Sequence, residues 1–276
     1  MGKREWVILA AVVLVSGCGK WTPSAQRAQV SADTPSGETV STFMLVGHTD
    51  DGRKKWEVRG QTANLLSETV HLSPVEATSY GNTKLDLTAD RGQYHRDTRN
   101  IHLEQNVVLI TADGVRLKTD SFDWDAQRQT GTTSAWVTVL RPGMRVVGQG
   151  GVCFPKVKRV RLEKSVTVTL LGNGGQTVVT CDGPMEVDYG RHKIRFWRDV
   201  LVKDLKGTIR SDRLDVALNE KTNAMERATF WGHVRMNQGP QSAVANRANY
   251  WQLQGRTRLI GHPRLAMLSN GEKWRE

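Results

Sequence analysis

Several features that commonly identify a class of protein are missing from this sequence of 276 residues. Its apolar run from Trp6 to Val15 has ten residues, whereas a helix that spans a bilayer needs about 20. The seven histidines show neither the His-x-His nor the His-x-x-x-His spacing of metal sites. The Gly-x-Ser-x-Gly motif, the phosphate-binding loop and the dinucleotide fingerprint are also absent. The sequence therefore predicts no cofactor, no metal site and no enzymatic activity.

Helix formers at helical spacing are also scarce after residue 40, whereas Thr and Val recur throughout. Both residues favour strands. The hydrophobic fraction of 38% is low for a tightly filled globule. It suits an antiparallel sheet with one apolar face and one hydrated face. The composition therefore favours an all-β protein of roughly 15 to 18 strands, since strands average five to six residues.

A repeat with a period near thirty residues organises these strands. A polar triplet ending in Asp or Asn alternates with an apolar strand built on Val. The triplets end at Asp90, Asp120, Asp182, Asp212 and Asn246. The Val strands are marked by Val107, Val137, Val166, Val200 and Val234, which are 30, 29, 34 and 34 residues apart. Such a period indicates stacked β units, each unable to bury its apolar face alone. The triplet Asp residues recur beside predicted turns, which favours backbone capping over a pair of catalytic carboxylates.

The formal net charge of +11 suggests an anionic partner, with nucleic acid, anionic lipid and acidic glycolipid as candidates. The basic residues are dispersed, however, and the densest group lies between Lys156 and Lys164. Solvated strand faces explain this charge as well as a functional patch does. Dispersed charge, together with the export signal described next, argues against nucleic acid.

The N-terminus has the pattern of a secretory signal peptide. Lys3 and Arg4 precede the apolar run, and Leu14-Val15-Ser16-Gly17-Cys18 follows it. Cys18 after Ser-Gly resembles the lipobox of bacterial lipoproteins, which implies a signal peptide at 1–17 and lipidation of Cys18. An ordinary signal peptide with a chance cysteine and an uncleaved anchor are the alternatives. Residues 18–41 are rich in Ser, Thr, Ala, Gln and Pro and indicate a flexible tether between a membrane and the folded part.

Cys153 and Cys181 are the two remaining cysteines, 28 residues apart and close to one repeat. An oxidising envelope allows a disulfide between them. Two half-buried thiols are the alternative, and the sequence does not decide between the two.

Five phrases in the first half resemble the LptC family, the membrane-tethered component of bacterial lipopolysaccharide export. They are 51–58 (DGRKKWEV), 87–94 (LTADRGQY), 106–107 (NV), 113–120 (DGVRLKTD) and 147–150 (VGQG). The second half is similar to LptA, the soluble periplasmic or OstA-like component, at 211–214 (SDRL) and 232–234 (GHV). The resemblance implies an elongated open β-jellyroll, or β-taco, with two facing antiparallel sheets and lipopolysaccharide acyl chains between them. It divides the chain into an LptC-like part, 42–155, and an LptA-like part, 156–268, continuing the same stack.

An acyl carrier needs a long apolar trough, and the alternating strands supply candidate walls. The proposed lipid-contacting residues are Leu87, Tyr94, Leu103, Val107, Leu109, Phe122, Val137, Val139, Val168, Tyr189, Phe196, Val200, Val202, Val216, Phe230 and Val234. Each of them could equally be plain core. Basic residues beside the triplets are candidates for a rim that meets the lipid's phosphates, namely Arg91, Arg116, Lys118, Arg210 and Arg213.

The leading hypothesis is therefore a periplasmic lipoprotein that carries lipopolysaccharide from the inner to the outer membrane. Its partners would be the glycolipid, the membrane through the lipid anchor, and other Lpt-type jellyrolls. The last of these would pair with the exposed edge strands, which are predicted at 42–47 and 56–59 at one end and at 249–253 and 258–265 at the other. A membrane-anchored β-solenoid that binds or processes polysaccharide, and a structural envelope scaffold, are the alternatives.

Overall fold

The computed structural model describes residues 39–40, 43–48, 52–64, 68–80, 84–172 and 175–267. The proposed signal peptide at 1–17, the lipidation site Cys18 and most of the 18–41 tether lie outside these residues. Thr39 and Val40, at the end of the tether segment, form a short strand. No helix in the described part of the chain is both long and apolar enough to span a membrane.

The all-β expectation is confirmed, with 19 strands and a single short 3₁₀ turn in the described residues. The strands are β1 Thr39–Val40, β2 Phe43–His48, β3 Lys54–Asn64, β4 Thr69–Tyr80, β5 Lys84–Ala89, β6 Arg91–His95, β7 Ile101–Thr111, β8 Arg116–Asp125, β9 Thr130–Arg141, β10 Met144–Phe154, β11 Arg159–Gly172, β12 Gly175–Cys181, β13 Met185–Asp188, β14 Lys193–Lys203, β15 Thr208–Leu218, β16 Met225–Gln238, β17 Gln241–Trp251, β18 Arg256–Ile260 and β19 Arg264–Met267. The 3₁₀ turn Pro155–Val157 lies at the expected boundary of 155/156.

The chain forms two compact units. The N-unit contains the described residues up to Pro142 together with Gln149–Val160. The C-unit contains Gly143–Gly148 and the described residues from Arg161 onward. In both units the strand pairs with a described register are antiparallel neighbours. This arrangement differs from the parallel coils of a β-helix, so the solenoid alternative does not describe the fold.

Most long strands change partners halfway along. The first half of β7 pairs with β6, from Ile101 to Glu104, and its second half pairs with β5, from Val108 to Thr111. In the C-unit, β14 pairs with β13 through Lys193–Phe196 and with β12 through Leu201–Lys203. The pairs β5/β6, β12/β13 and β18/β19 are therefore the two halves of bent segments, which raises the strand count above the expected number.

The bends occur at bulges in the middle of the strands. The register shifts between Glu104 and Val107 in β7, and between Trp197 and Val200 in β14. Two consecutive residues take positive φ at these bulges, for example Gln105 (62°) and Asn106 (50°). Bulges of this kind bend a strand and increase its twist. Each bend divides its strand into a front half, which runs toward the turns near residues 113, 205 and 239, and a back half, which runs toward the turns near 98, 127 and 222.

The repeat identified in the sequence marks these bends. Val107, Val200 and Val234 each follow a pair of positive-φ residues, and the triplet Asp residues lie at the bend of the intervening strand. The expectation that these Asp residues cap turns is wrong in its detail, because Asp120 and Asp212 lie within strands, and Asp90 and Asp182 lie at bends between two strand segments. Asp90 N–H donates to Gln105 O at 3.0 Å, and Asn106 Nδ2 donates to Asp90 Oδ2 at 2.6 Å.

Equivalent hydrogen bonds between the bends of adjacent strands occur in the C-unit. His233 Nδ1 donates to Asp212 Oδ2 at 2.8 Å, and Asn246 N–H donates to Gly261 O at 3.0 Å. Gly232 has φ +72°, and a Cβ there would collide with the Asp212 carboxylate. The bend therefore requires glycine at this position, because neither the backbone conformation nor the space suits a larger residue.

One apolar core joins the two halves of the N-unit strands. Its buried members are Val70, Leu72, Val75, Ala89, Leu103 and Val107. Leu87 from the front half and Tyr94 and Phe122 from the back half pack against it. Apolar side chains thus line the inner face of the sheet on both sides of the bend, and we call the two halves the front wall and the back wall.

Candidate functional site

The floor of each unit lies along the bends and is closed by small and β-branched side chains. In the N-unit it includes Val107 and Val137, which are 2% and 4% exposed. In the C-unit it includes Val200 and Val234, which are 0% and 1% exposed. These side chains are already buried by protein, so they form the closed bottom between the front and back walls.

One row further from the bend, the inner face of the front wall opens. In the N-unit this row crosses six strands in continuous register, as Val58, Ala77, Leu87, Leu109, Leu117 and Val139. All are apolar, and all except Val139 are half-buried. We call this set the N-unit open row. Apolar side chains that face inward and remain accessible are what a trough requires.

The C-unit carries an equivalent row. It runs as Val179, Val202, Ile209, Met236 and Ala243 in cross-strand register. Val179 is buried, and the next four are half-buried. Leu265, opposite Ala243 on β19, is 80% exposed. We call the first five the C-unit open row; its exposure increases toward the last strand.

The inner face of the C-unit back wall is closed instead. Met185, Phe196, Leu214, Phe230 and Ala248 lie opposite one another on successive strands. All five are buried, and Phe196 is 1% exposed. These residues pack as an ordinary core. The accessible inner surface of this unit therefore lies on its front wall.

The sixteen proposed lipid contacts fall into two groups. The buried group comprises Leu103, Val107, Val137, Val139, Val168, Phe196, Val200, Val216, Phe230 and Val234. The half-buried group comprises Leu87, Tyr94, Leu109, Phe122, Tyr189 and Val202. Sequence reasoning did not distinguish these groups, because alternation identifies the inner face and not the distance from the bend. The sixteen also lack seven members of the two open rows, namely Val58, Ala77, Leu117, Val179, Ile209, Met236 and Ala243.

The five proposed rim residues lie on the outer face of the sheet. Arg91, Arg116, Lys118 and Arg210 are exposed, and each alternates with inward-facing neighbours. Arg213 is half-buried and makes a bidentate pair with Asp215 at 2.7 and 2.6 Å. Arg116 begins β8 beside a turn, whereas the other four lie beside bends. The triplets mark bends and not strand ends, so the four rim candidates that lie beside bends are far from the wall tops.

A polar cluster occupies the outer face of the N-unit back wall. His102 bonds Asp123 through Nδ1 at 2.5 Å and Glu104 through Nε2 at 2.7 Å. The hydrogen bonds to Asp123 and then Glu104 raise the pKa of His102. The cluster ties β7 to β8 across the sheet. In the described residues, no group of three or more His, Cys, Asp or Glu is placed to hold a metal ion.

Both cysteines in the described part of the chain are thiols and do not form the disulfide that was considered. Cys181 is buried at the C-unit floor, and this burial raises the pKa of its thiol. The Cys153 sulfur lies beside Gly131, where a Cβ would approach it to 2.7 Å. Both thiols act as small packing groups.

Two family models match the chain. One, described as lipopolysaccharide-assembly, LptC-related, matches residues 6–171 and covers more than half of the sequence. The other, described as LptA/(LptD N-terminal domain) LPS transport protein, matches residues 184–275. These matches confirm the expected order, with an LptC-like first half followed by an LptA-like second half. A search of curated proteins found no match.

Proposed function

This chain belongs to the LptC-related lipopolysaccharide-assembly family, and on that premise we propose that it carries lipopolysaccharide through the periplasm in an apolar trough. The acyl chains lie against the open rows of the two units, and the sugars and phosphates stay in water beyond the wall tops. The role is one of binding and transfer, without bond-making chemistry.

The observation that supports this proposal is the pair of open rows. Burying one methylene contributes about 0.8 kcal/mol, so keeping a chain of about a dozen methylenes out of water is worth on the order of 10 kcal/mol. A row of six apolar side chains, five of them half-buried, crosses six strands and offers a surface of suitable length. In the proposed mode of binding, the large hydrated headgroup stays in water while the tails lie along this row.

We expect a photo-crosslinking amino acid at Met236 to label lipopolysaccharide in living cells, and one at the adjacent Arg235 to give only background. Successive residues of a strand face opposite sides of the sheet, so Met236 lies on the inner face and Arg235 on the outer face. Leu109 and Val108 form the same pair in the N-unit. The labelled species is identified by immunoblotting and mass spectrometry.

Met236 and Leu109 are better probes than the buried Phe196 and Val107, because a bulky side chain at a half-buried position leaves the core intact. Equal labelling at the inner and outer members of both pairs would rule out a trough that holds the acyl chains. Labelling in only one unit would limit the carrier role to that unit.

We further propose that the chain is a lipoprotein, held to a membrane by acyl groups on Cys18. The support is the basic start, the short apolar run and the Ser-Gly-Cys sequence. Cys18→Ala is expected to release the protein into the soluble periplasmic fraction or to leave its signal uncleaved. Fractionation and intact-mass measurement of the purified protein check this. Normal processing with unchanged membrane retention would contradict lipidation.

Edge strands supply a means of joining this protein to partners of the same fold. In the N-unit the described pairings end at β1 and β2, and in the C-unit they end at β18 and β19. All four side chains of β19 are exposed. An incoming strand that pairs with such an edge extends the sheet and satisfies its backbone groups. We propose that the chain bridges the periplasm in this way, with 42–155 as the LptC-like and 156–268 as the LptA-like part.

A further inference from the structure

The outer face of the C-unit back wall carries a group of arginine and tryptophan side chains that the trough does not use. On β16, β17 and β18 the outward positions lie in three cross-strand rows. One row is Arg227, Trp251 and Arg256. The row nearest the bend is Trp231, Arg247 and Ile260. We call this set, together with Arg258 of the middle row, the outer arginine–tryptophan face.

The charge of this face has one sign. Its nine positions on the three strands include four arginines, two tryptophans and no acid. The strands before it differ, because there Arg213 pairs with Asp215 and Arg195 pairs with Glu186. The outward positions of β16 to β18 therefore carry positive charge without a carboxylate among them, and Asp215, which lies opposite Thr229 on the neighbouring strand, is already paired with Arg213.

The arginines and tryptophans are also arranged in stacked pairs. The guanidinium carbon of Arg247 lies 4.8 Å from the ring centroid of Trp231, and that of Arg256 lies 5.5 Å from that of Trp251. Such cation–π contacts stabilise each arginine against its tryptophan. Thr229 and Asn249, in the middle row, are buried beneath these larger neighbours. The result is a broad surface with aromatic and cationic groups side by side.

An exposed leucine adjoins this face at the hairpin tip. Leu253 lies in the turn between β17 and β18, two residues after Trp251, and is 96% exposed. A soluble anionic partner could pair with the arginines but gives no reason for an apolar side chain at the tip. A bilayer explains all three groups. Leucine enters the acyl boundary, tryptophan lies at headgroup level, and arginine binds phosphate.

We propose that the outer arginine–tryptophan face, with Leu253 at its tip, docks the C-unit on the surface of a bilayer that contains anionic phospholipid. The face would hold the carrier against a membrane at a place separate from the trough. The inference rests on outward side chains alone and does not depend on the proposed carrier function.

The test is flotation with phosphatidylcholine vesicles, with and without phosphatidylglycerol, of the chain in which residues 1–18 are replaced by a single methionine. This replacement removes both the proposed lipid anchor and the apolar run at Trp6–Val15, each of which would bind any vesicle. We expect binding to require phosphatidylglycerol and to weaken with salt. Arg256→Gln with Arg258→Gln should lower the partition coefficient roughly tenfold or more, since each surface arginine contributes substantially to binding an anionic membrane.

Matched variants on the front wall test whether binding depends on this face or only on the net charge of the chain. Arg235→Gln with Arg264→Gln removes the same charge from the outer face of the front strand halves. It should leave binding within about twofold, because salt screens charges beyond roughly 8 Å. Leu253→Ser should weaken binding by about tenfold. Leu205→Ser, at a turn position that is 80% exposed, should have little effect.

Three results would overturn the proposal. If the two arginine double variants lower the partition coefficient equally, binding depends on net charge and not on this face. Binding that is independent of phosphatidylglycerol would remove the role of anionic headgroups. Binding to a soluble sulfated dextran with no binding to vesicles would assign the face to an acidic saccharide instead. Circular dichroism of each variant confirms that these exposed substitutions leave the fold unchanged.

Discussion

Phe196→Ala is expected to lower the free energy of unfolding by about 3–5 kcal/mol, the range for removing a buried phenylalanine ring. Phe196 is 1% exposed, and its cross-strand neighbours Met185 and Leu214 are 6% and 3% exposed. The ring is already packed by protein before any lipid binds, so the loss should appear in the lipid-free chain. Urea unfolding followed by circular dichroism measures it.

Met236→Ala is the comparison, because it truncates another large inward side chain of the same unit. Met236 is half-buried in the C-unit open row, so its removal should cost considerably less than that of Phe196. A similar large cost at both positions would mean that the front wall is as closed as the back wall. The trough would then have no accessible inner surface in this unit.

Much of the fold could be predicted because its local signals act over short distances. Asp113-Gly114 predicts the turn that the structure places between β7 and β8, with Gly114 at φ +82°. The alternation in 166–171 predicts the inner face of β11, where Val166 and Val168 are buried. In such segments the local structure is determined by residues that are close together in the sequence.

The bends could not be predicted in the same way. Asn106 and Asp199 tolerate positive φ, but Gln105 and Arg198 take it beside them without any such preference. Their conformation is imposed by the adjacent strand, which accepts or donates a hydrogen bond at each bulge. The thirty-residue repeat is visible in the sequence, yet its triplet Asp residues are predicted to cap adjacent turns, because turns and bulges favour the same residue types.

Features that depend on register were also hidden. Trp231 and Arg247 are 16 residues apart in sequence and become partners only when β16 and β17 pair. Likewise, Phe196 and Val202 both alternate inward on β14, but one is buried and the other half-buried. Phe196 lies on the closed back wall, whereas Val202 lies in the open row of the front wall. The residues next to them in the sequence do not reveal this difference in burial.

Met236→Asp is expected to weaken lipopolysaccharide binding by roughly 100-fold. Placing Asp in a lipid environment costs about 2.5–3.5 kcal/mol relative to an apolar residue, and each 1.4 kcal/mol is a factor of ten. Without lipid the new carboxylate stays hydrated, because position 236 is half-buried, so the fold should remain. Binding is measured by titration of purified protein with lipopolysaccharide, alongside thermal unfolding of each variant.

Val244→Asp is the matched control for this substitution. Val244 lies opposite Arg235 on β17, faces outward and is 40% exposed, so the same charge enters the same unit on the other side of the sheet. Its affinity should stay close to that of the unmodified chain. If the two aspartates weaken binding equally, the lipid is repelled by added negative charge rather than excluded from the inner wall. If neither does, the acyl chains do not lie on the open row, because a carboxylate beneath a fatty chain cannot be solvated by it.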